Sequence, residues 1–178
     1  ILEKTRLFGQ GQDGTVVLYG TTNDATYKTS ATTIRTEPDH LGVNGPVLFT
    51  KTSTNNWRLD RDAYLYKLTL SNASSGTPNL NTNGFRLFVQ HELIIQANCI
   101  ISNDASGTTA GEGGTLSAGT AGLSGGGGGN AGGGQDGASG GTGGGSGGFV
   151  FISARTIANS GTIRAHGGTG GTGDDTGA

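Results

Sequence analysis

Two aspartates that flank an arginine, Asp60 and Asp62, come closest in this sequence to a catalytic constellation. Paired carboxyl groups carry out glycoside hydrolysis, in which one acts as an acid and the other as a base or nucleophile. The run Asp-Arg-Asp is also typical of a solvated turn whose charges pair locally, at little gain in stability. We expect the solvated turn, so the sequence predicts no catalytic residue and no enzyme.

Three aromatic residues near this turn are candidates for surface recognition. They are Trp57, Tyr64 and Tyr66. Large aromatic rings with a polar edge combine an apolar face with a hydrogen-bonding group, which suits contact with sugars and with other proteins. We predict a recognition surface formed by these rings. For Trp57, a position in the core or in a subunit contact is the open alternative.

The sequence contains only weak signals for metal and cofactor sites. His40, His91 and His166 are far apart, and His91 begins no zinc-protease motif because no second histidine follows at the required spacing. Residues 9–14, Gly-Gln-Gly-Gln-Asp-Gly, are similar to the Gly-x-Gly-x-Asp turns that bind calcium in stacked repeats. A single copy lacks the neighbouring turn that completes the oxygen ligands. The sequence therefore predicts no metal and no cofactor.

Charge and cysteine content exclude several classes of protein. The net charge is −2 and the basic residues are dispersed, so no basic stripe for nucleic acid is present. No run approaches the length of a membrane span. Cys99 is the one cysteine and lies in an apolar run, which predicts a buried, unreactive thiol and no internal disulfide.

Short strands are the elements that must position these residues, because sustained helical spacing of apolar residues is absent. In residues 63–70, the alternation predicts a strand with Tyr66, Leu68 and Leu70 on one face. Other short β-rich runs are residues 14–19, 46–51, 85–90, 93–95, 100–102 and 149–152.

Asparagine and glycine separate these runs at residues 79–84, at Asn98 and at Asn103. Both residue types tolerate the positive φ that tight corners need. Short strands with inward aliphatic residues and such corners predict an all-β fold, specifically a short-strand β-helix or stacked-rung sheet. The alternative is a small β-sandwich joined to a glycine-rich linker.

The glycine-rich block, residues 107–148, contains 22 glycines in 42 positions. A segment with so few side chains cannot build an ordinary core, and it has a large backbone entropy to lose on ordering. Extended polyglycine helices can instead pack side by side through main-chain hydrogen bonds. We predict a region similar to polyglycine II, with a flexible linker as the alternative.

These patterns divide the chain into three parts. Residues 1–106 form a β-rich domain with an insert near residues 21–56, and residues 107–148 form the glycine-rich block. Residues 149–178 form a short β-rung segment that runs into a further glycine-rich tail. The first residue is isoleucine, methionine is absent and the tail stops within a repeat-like run, so we expect a fragment of a longer chain.

Four segments carry a resemblance to a known family. They are residues 7–14, 59–70, 80–89, and the glycine-rich block together with the run that ends in residues 157–163. Together they resemble glycine-rich bacteriophage virion proteins of the tail-fibre or adhesin type. The sequence departs from that pattern in having glutamine at positions 10 and 12 and a longer stretch between Gly20 and Asn56.

The resemblance implies a viral structural protein on the virion, at the tail or on the particle surface, that contributes to virion architecture or host-surface attachment. The expected partners are copies of the chain, as a homotrimer, other virion proteins, and a host-surface glycan or protein bound through loops such as residues 111–128 or 21–56. A glycan-cleaving tail enzyme is one alternative. The other is a cellular extracellular filament or surface-layer subunit.

Overall fold

The computed structural model describes residues 7–36, 45–73, 76–104 and 147–168, and within these ranges the chain is built mostly of strands. The expected all-β class is therefore confirmed. The strands are β1 (Thr15–Leu18), β2 (Asn23–Ala25), β3 (Thr33–Arg35), β4 (Val47–Ser53), β5 (Asn56–Leu59), β6 (Ala63–Leu70), β7 (Asn79–Asn81), β8 (Arg86–Ile95), β9 (Ile100–Ser102), β10 (Phe151–Asn159) and β11 (Thr162–Arg164).

The strands form two sheets. The five-stranded sheet has the order β10-β8-β6-β1-β2, and the six-stranded sheet has the order β11-β9-β7-β5-β4-β3. From β5 to β11 each strand is followed by a strand of the other sheet, and the strands that become neighbours within a sheet are parallel. Strands β2, β3 and β4 are antiparallel to their neighbours, and β2 and β3 form the opposite edges of the two sheets.

Aliphatic side chains at matching positions of successive strands fill one core between the two sheets. In the five-stranded sheet Val16, Leu68 and Leu93 lie opposite one another and are buried, and Ile157 takes the same position in β10. The six-stranded sheet repeats the arrangement with Trp57, Leu80, Ile101 and Ile163. Parallel stacking thus places like residues over like residues, and their burial is the main source of stability.

Asparagines occupy tight turns of the fold. Asn83 and Asn98 lie at corners between the two sheets, with φ values of 51° and 65°, and Asn55 lies in the hairpin turn between β4 and β5, with a φ of 66°. A residue other than glycine adopts such a φ rarely, and asparagine does so more readily than most. The predicted use of asparagine at tight corners is confirmed at Asn83 and Asn98.

The outward position of Tyr66 corrects the predicted face of β6. The buried residues Leu65 and Leu68 are three positions apart, and the register with β8 shifts between Leu65 and Lys67. An irregularity of this kind breaks the two-residue alternation of a strand. Tyr66 is consequently 48% exposed and does not share a face with Leu68 and Leu70, so this part of the prediction is wrong.

The glycine-rich block lies in the sequence between β9 and β10, and the alternation between the two sheets continues on its far side. Residues 105–146 lie outside the described residues, and with them the polyglycine prediction. The described residues that flank them are adjacent, because Gly148 N–H donates to the Asn103 carbonyl at 2.8 Å and Asn103 Nδ2 donates to the Phe149 carbonyl at 2.9 Å. We call this closed junction the neck. Beyond it, β10 and β11 extend the two sheets that β8 and β9 belong to.

The turn between β10 and β11 requires glycine at position 161. A Cβ atom at Gly161 would lie 2.6 Å from Ile95 Cγ2 and closer still to the Cys99 carbonyl oxygen. We expect Gly161→Ala to lower the free energy of unfolding by about 1–3 kcal/mol, as overpacking does in other interiors. Urea unfolding measures this, with the neighbouring exposed change Ser160→Ala as the control. Equal stability of the two variants would contradict the close approach.

Candidate functional site

Trp57 lies in the core and not on a recognition surface. Its side chain is 1% exposed, and the indole Nε1–H donates to the Tyr19 carbonyl at 2.7 Å. Position 57 is on the inner face of β5, opposite Leu80 of β7. Of the two interpretations that the sequence left open, the core position is therefore the correct one, and Trp57 offers no ring to a ligand.

The burial of Trp57 can be tested by fluorescence, since it is the sole tryptophan of the chain. We expect a blue-shifted emission that iodide quenches poorly in the folded protein. Unfolding in urea should shift the emission to the red and raise the quenching constant several-fold. Strong iodide quenching of the folded protein would contradict the position of the indole.

Tyr64 belongs to an aromatic row on the outer face of the five-stranded sheet. Its ring stacks on Phe88 with centroids 5.1 Å apart, and Phe88 lies 5.6 Å from Phe151 on the next strand. Gly9 lies close to this row, because a Cβ atom there would be 3.0 Å from both Tyr64 Cδ1 and Phe88 Cβ. The segment before β1 therefore covers part of the row, and Tyr64 is only partly exposed.

Tyr66 is the predicted recognition residue that the structure leaves most accessible. Its ring stacks against the His91 imidazole at a centroid distance of 5.3 Å, beside the ion pair of Lys67 and Glu92 at 2.8 Å. The hydrogen bond from Lys67 lowers the pKa of the Glu92 carboxyl. The predicted three-residue surface is thus reduced to Tyr66, with the edge of Tyr64 beside it.

Asp13 is a buried carboxylate that fastens the segment before β1 to the corner before β6. It accepts hydrogen bonds from Arg61 Nη2 at 2.6 Å and from the Tyr64 N–H at 2.7 Å, and its side chain is 1% exposed. Burial raises the pKa of Asp13, although the Tyr64 N–H and the Arg61 charge act in the opposite direction. In the calcium-like run of residues 9–14, the carboxylate is therefore directed at protein groups.

The two aspartates of the candidate catalytic pair accept hydrogen bonds from different residues. Asp60 accepts from Thr50 Oγ1 at 2.6 Å and from Arg58 Nε at 2.7 Å. Asp62 accepts from the Arg86 N–H and from Arg86 Nε, both at 2.8 Å, which ties the start of β6 to the start of β8. The hydrogen bond to Asp62 raises the pKa of Arg86. These contacts link neighbouring strands and give each aspartate of the Asp-Arg-Asp run a structural role.

A polar cleft of about 260 Å³ lies along the six-stranded sheet. Its polar side chains bond mainly to one another: Asn79 Nδ2 donates to Asn56 Oδ1 at 3.3 Å, and Ser102 Oγ donates to Asn79 Oδ1 at 3.1 Å. Such amide and hydroxyl pairs run across the parallel strands and stabilise their register. The lining residues are Thr52, Ser53, Asn56, Trp57, Arg58, Asn79, Asn81, Ser102 and Asp104.

The described ranges contain no group of three or more His, Cys, Asp or Glu side chains that could hold a metal ion. Cys99 is free and buried, and burial raises the pKa of its thiol, which agrees with the predicted unreactive side chain. His40 lies outside the described residues, and the backbone N–H of His166 donates to Asp104 Oδ1 at 2.8 Å.

Comparison of the chain with protein-family models, with curated proteins and with solved structures gives no match. The resemblance to phage virion proteins therefore depends on the four sequence segments alone. Across the part of the chain that the structure describes, no helix has the length and apolarity of a membrane span.

The residues that join successive strands carry no local signal in the sequence. Asp13, Arg61 and Arg86 are each separated from their partners by more than twenty positions, so no local spacing reveals the pairing. The neck was not predicted for the same reason, since Asn103 precedes the glycine-rich block and Gly148 is the last residue of that block. The signal that could have found them is the recurrence of an acidic or amide residue at each strand corner.

Proposed function

We propose that the chain is a non-catalytic structural protein of a bacteriophage virion, similar to a tail-fibre or adhesin subunit. The observation that carries the proposal is the neck. A segment poor in side chains leaves and re-enters a well-packed two-sheet body at one closed point, where Asn103 and Gly148 are hydrogen-bonded. Binding residues often lie on connecting segments that a rigid body positions, so this long insertion is the proposed site of recognition.

Within the all-β class, we propose that the fold is a β-helix whose corners are fixed by asparagines or charged pairs. Alternation between two parallel sheets, with aliphatic residues stacked at matching positions, supports it. Repeat architectures of this kind transmit stability from one unit to the next and form elongated, stiff bodies. Stiffness is what a fibre or a tail attachment requires.

The proposed partners are copies of the chain as a homotrimer, other virion proteins, and a glycan or protein of the host surface. Polyglycine segments of several copies can associate through main-chain hydrogen bonds, so the block of residues 107–148 is the proposed route to trimers. The proposed location is the tail or the surface of the particle. Exposed Tyr66 is the aromatic residue in the described ranges best placed to contribute to host contact.

The first test replaces residues 105–146 with a short Gly-Ser linker. Because the flanking residues are already bonded to each other, the linker has only a short gap to close. We expect the two-sheet body to stay folded, with red-shifted Trp57 emission only after unfolding, and binding to cells of the host bacterium to be lost. A matched control is a scrambled block of the same composition. Full binding by the linker variant would overturn the role of the block.

The second test locates the protein by immunogold electron microscopy. Label on tails or on the surface of purified particles supports the proposal, whereas label on filaments of uninfected cells supports a cellular surface subunit. A turnover assay on host polysaccharide tests the alternative that the protein is a glycan-cleaving tail enzyme. Activity that disappears in Asp60→Asn or Asp62→Asn would overturn the non-catalytic assignment.

A further inference from the structure

The polar cleft on the outer face of the six-stranded sheet has no part in the proposed function. Its volume is about 260 Å³, and its lining comes mainly from β4, β5, β7 and β9. Strands β5 and β7 lie in the middle of that sheet and are bonded to described strands on both sides. The floor of the cleft is therefore an interior part of the sheet and not an edge.

The alternation of β5 and β7 directs polar side chains toward the cleft. In β5, Asn56 and Arg58 alternate with buried residues. In β7, Asn79 and Asn81 flank the buried Leu80. Successive side chains of a strand point to opposite faces of a sheet, so the four polar residues share the outer face. The register pairs them across the two strands, Asn56 with Asn79 and Arg58 with Asn81.

Internal hydrogen bonds hold part of this polar array in place. Asn56 Nδ2 donates to Ser53 Oγ at 2.7 Å and to the Thr54 carbonyl at 3.2 Å. Asn79 is held from both sides, because it donates to Asn56 and accepts from Ser102. Side chains that are already fixed lose little conformational entropy when a ligand binds. The cleft is therefore preorganised.

Other donors of the array are unused within the described residues. Asn81 Oδ1 accepts from the Asn83 N–H at 2.7 Å, whereas no described group bonds to Asn81 Nδ2. Arg58 donates to Asp60 through Nε and Nη2, and its Nη1 has no partner in the same ranges. The side chain of Arg58 is 46% exposed. Both donors are consequently available to a ligand on the outer face of the sheet.

The charges of the cleft are balanced. Arg58 is paired with Asp60 at 2.7 Å, and Asp104 is paired with Arg164 at 2.8 Å. A polyanion such as a nucleic acid binds through an excess of positive charge, which these pairs do not provide. The cleft therefore favours a ligand without net charge.

The lining also disfavours apolar ligands and peptides. Trp57 is its one large apolar residue, and that side chain is buried. Drug-like apolar ligands and amphipathic helices require exposed apolar side chains, and an extended peptide requires a free sheet edge. What the cleft offers is amide, guanidinium and hydroxyl groups. Such groups match a ligand whose hydroxyls both donate and accept hydrogen bonds.

We propose that this cleft binds a neutral carbohydrate, with Arg58, Asn79 and Asn81 as the residues that contact it. The free Asn81 amide and the Arg58 guanidinium donate to sugar hydroxyls, and the fixed Asn79 amide has one further N–H to offer. The inference deepens the proposed contact with a host glycan and rests on that proposed function for the source of the sugar alone. It adds a contact surface on the sheet opposite to that of Tyr66.

The test is calorimetric titration of the purified full-length chain with neutral oligomers of glucose, galactose, mannose and N-acetylglucosamine. We expect at least one of them to bind. Asn81→Asp should weaken that binding about tenfold, because it removes the unused amide donor and keeps the acceptor oxygen for the Asn83 N–H. Arg58→Ala should weaken it to a similar extent and leaves Asn81 intact.

Asn72→Asp is the matched control, since it makes the same chemical change at an exposed residue that bonds to Gln96 and Ala97, away from the cleft. Its affinity should equal that of the wild type, and the emission of buried Trp57 shows whether each variant is folded.

Three results would overturn the proposal: no binding of any neutral oligomer, unchanged affinity in folded Asn81→Asp, or a preference for the acidic oligogalacturonate. The titration needs only the purified chain. It can therefore fail while immunogold labelling still places the protein on phage particles, and it can succeed when that labelling fails.

Discussion

Replacing Asp13 with alanine is expected to lower the free energy of unfolding by about 3 kcal/mol, because a buried ion pair is costly to break from one side. The change leaves Arg61 and the Tyr64 N–H without their acceptor. It also releases the segment before β1 from the corner before β6. Urea unfolding followed by circular dichroism measures the loss.

Asp24→Ala is the matched control for Asp13→Ala. Asp24 lies in β2 with an exposed side chain, so its removal should change stability by less than about 0.5 kcal/mol, as is usual at the surface. Asp13→Asn separates charge from hydrogen bonding, since the amide retains one acceptor oxygen. Equal stability of Asp13→Ala and Asp24→Ala would contradict the role of Asp13 in holding the segment before β1 to the corner before β6.

Leu93→Ala is expected to lower the free energy of unfolding by about 3–4 kcal/mol, within the range seen for leucine truncation in well-packed cores. Leu93 is fully buried between Leu68 of β6 and Ile157 of β10, so a collapse around the cavity would disturb two neighbouring strands. Thermal or urea unfolding of the purified variant measures the effect.

The control for Leu93→Ala is Ile157→Ala, which removes an aliphatic side chain from the same stacked position one strand further on. Because Ile157 is half exposed, its loss should cost about 1 kcal/mol or less. Equal losses at both positions would contradict the difference in burial.

Local sequence signals were sufficient to predict several of the strands and two of the corners. Strands β1, β4, β6, β8 and β9 coincide with runs of β-forming residues, and the asparagine corners at 83 and 98 followed from the conformational tolerance of that residue. These features depend on a residue and its immediate neighbours, which sequence reasoning can evaluate.

The outward position of Tyr66 and the burial of Trp57 could not be predicted with the same reasoning. Tyr66 leaves the expected face where the β6–β8 register shifts, since the step from Leu65 to Lys67 matches the longer step from Val89 to Glu92. Trp57 is buried because the inner face of β5 packs into the core between the sheets, where the indole N–H reaches the Tyr19 carbonyl. Each outcome depends on a partner that is distant in the sequence.

The sequence by itself determined the all-β class, the absence of helical periodicity, the unreactive setting of Cys99 and the glycine-rich composition of residues 107–148. Only the tertiary structure decided that strands on both sides of that block share two sheets, that Asp13 and Asp62 join successive strands, and that Leu93 is buried where its register partner Ile157 is half exposed. The physical reason is that strand propensity and turn chemistry are local, whereas register, ion pairing and the coverage of a core require segments that meet only in the folded chain.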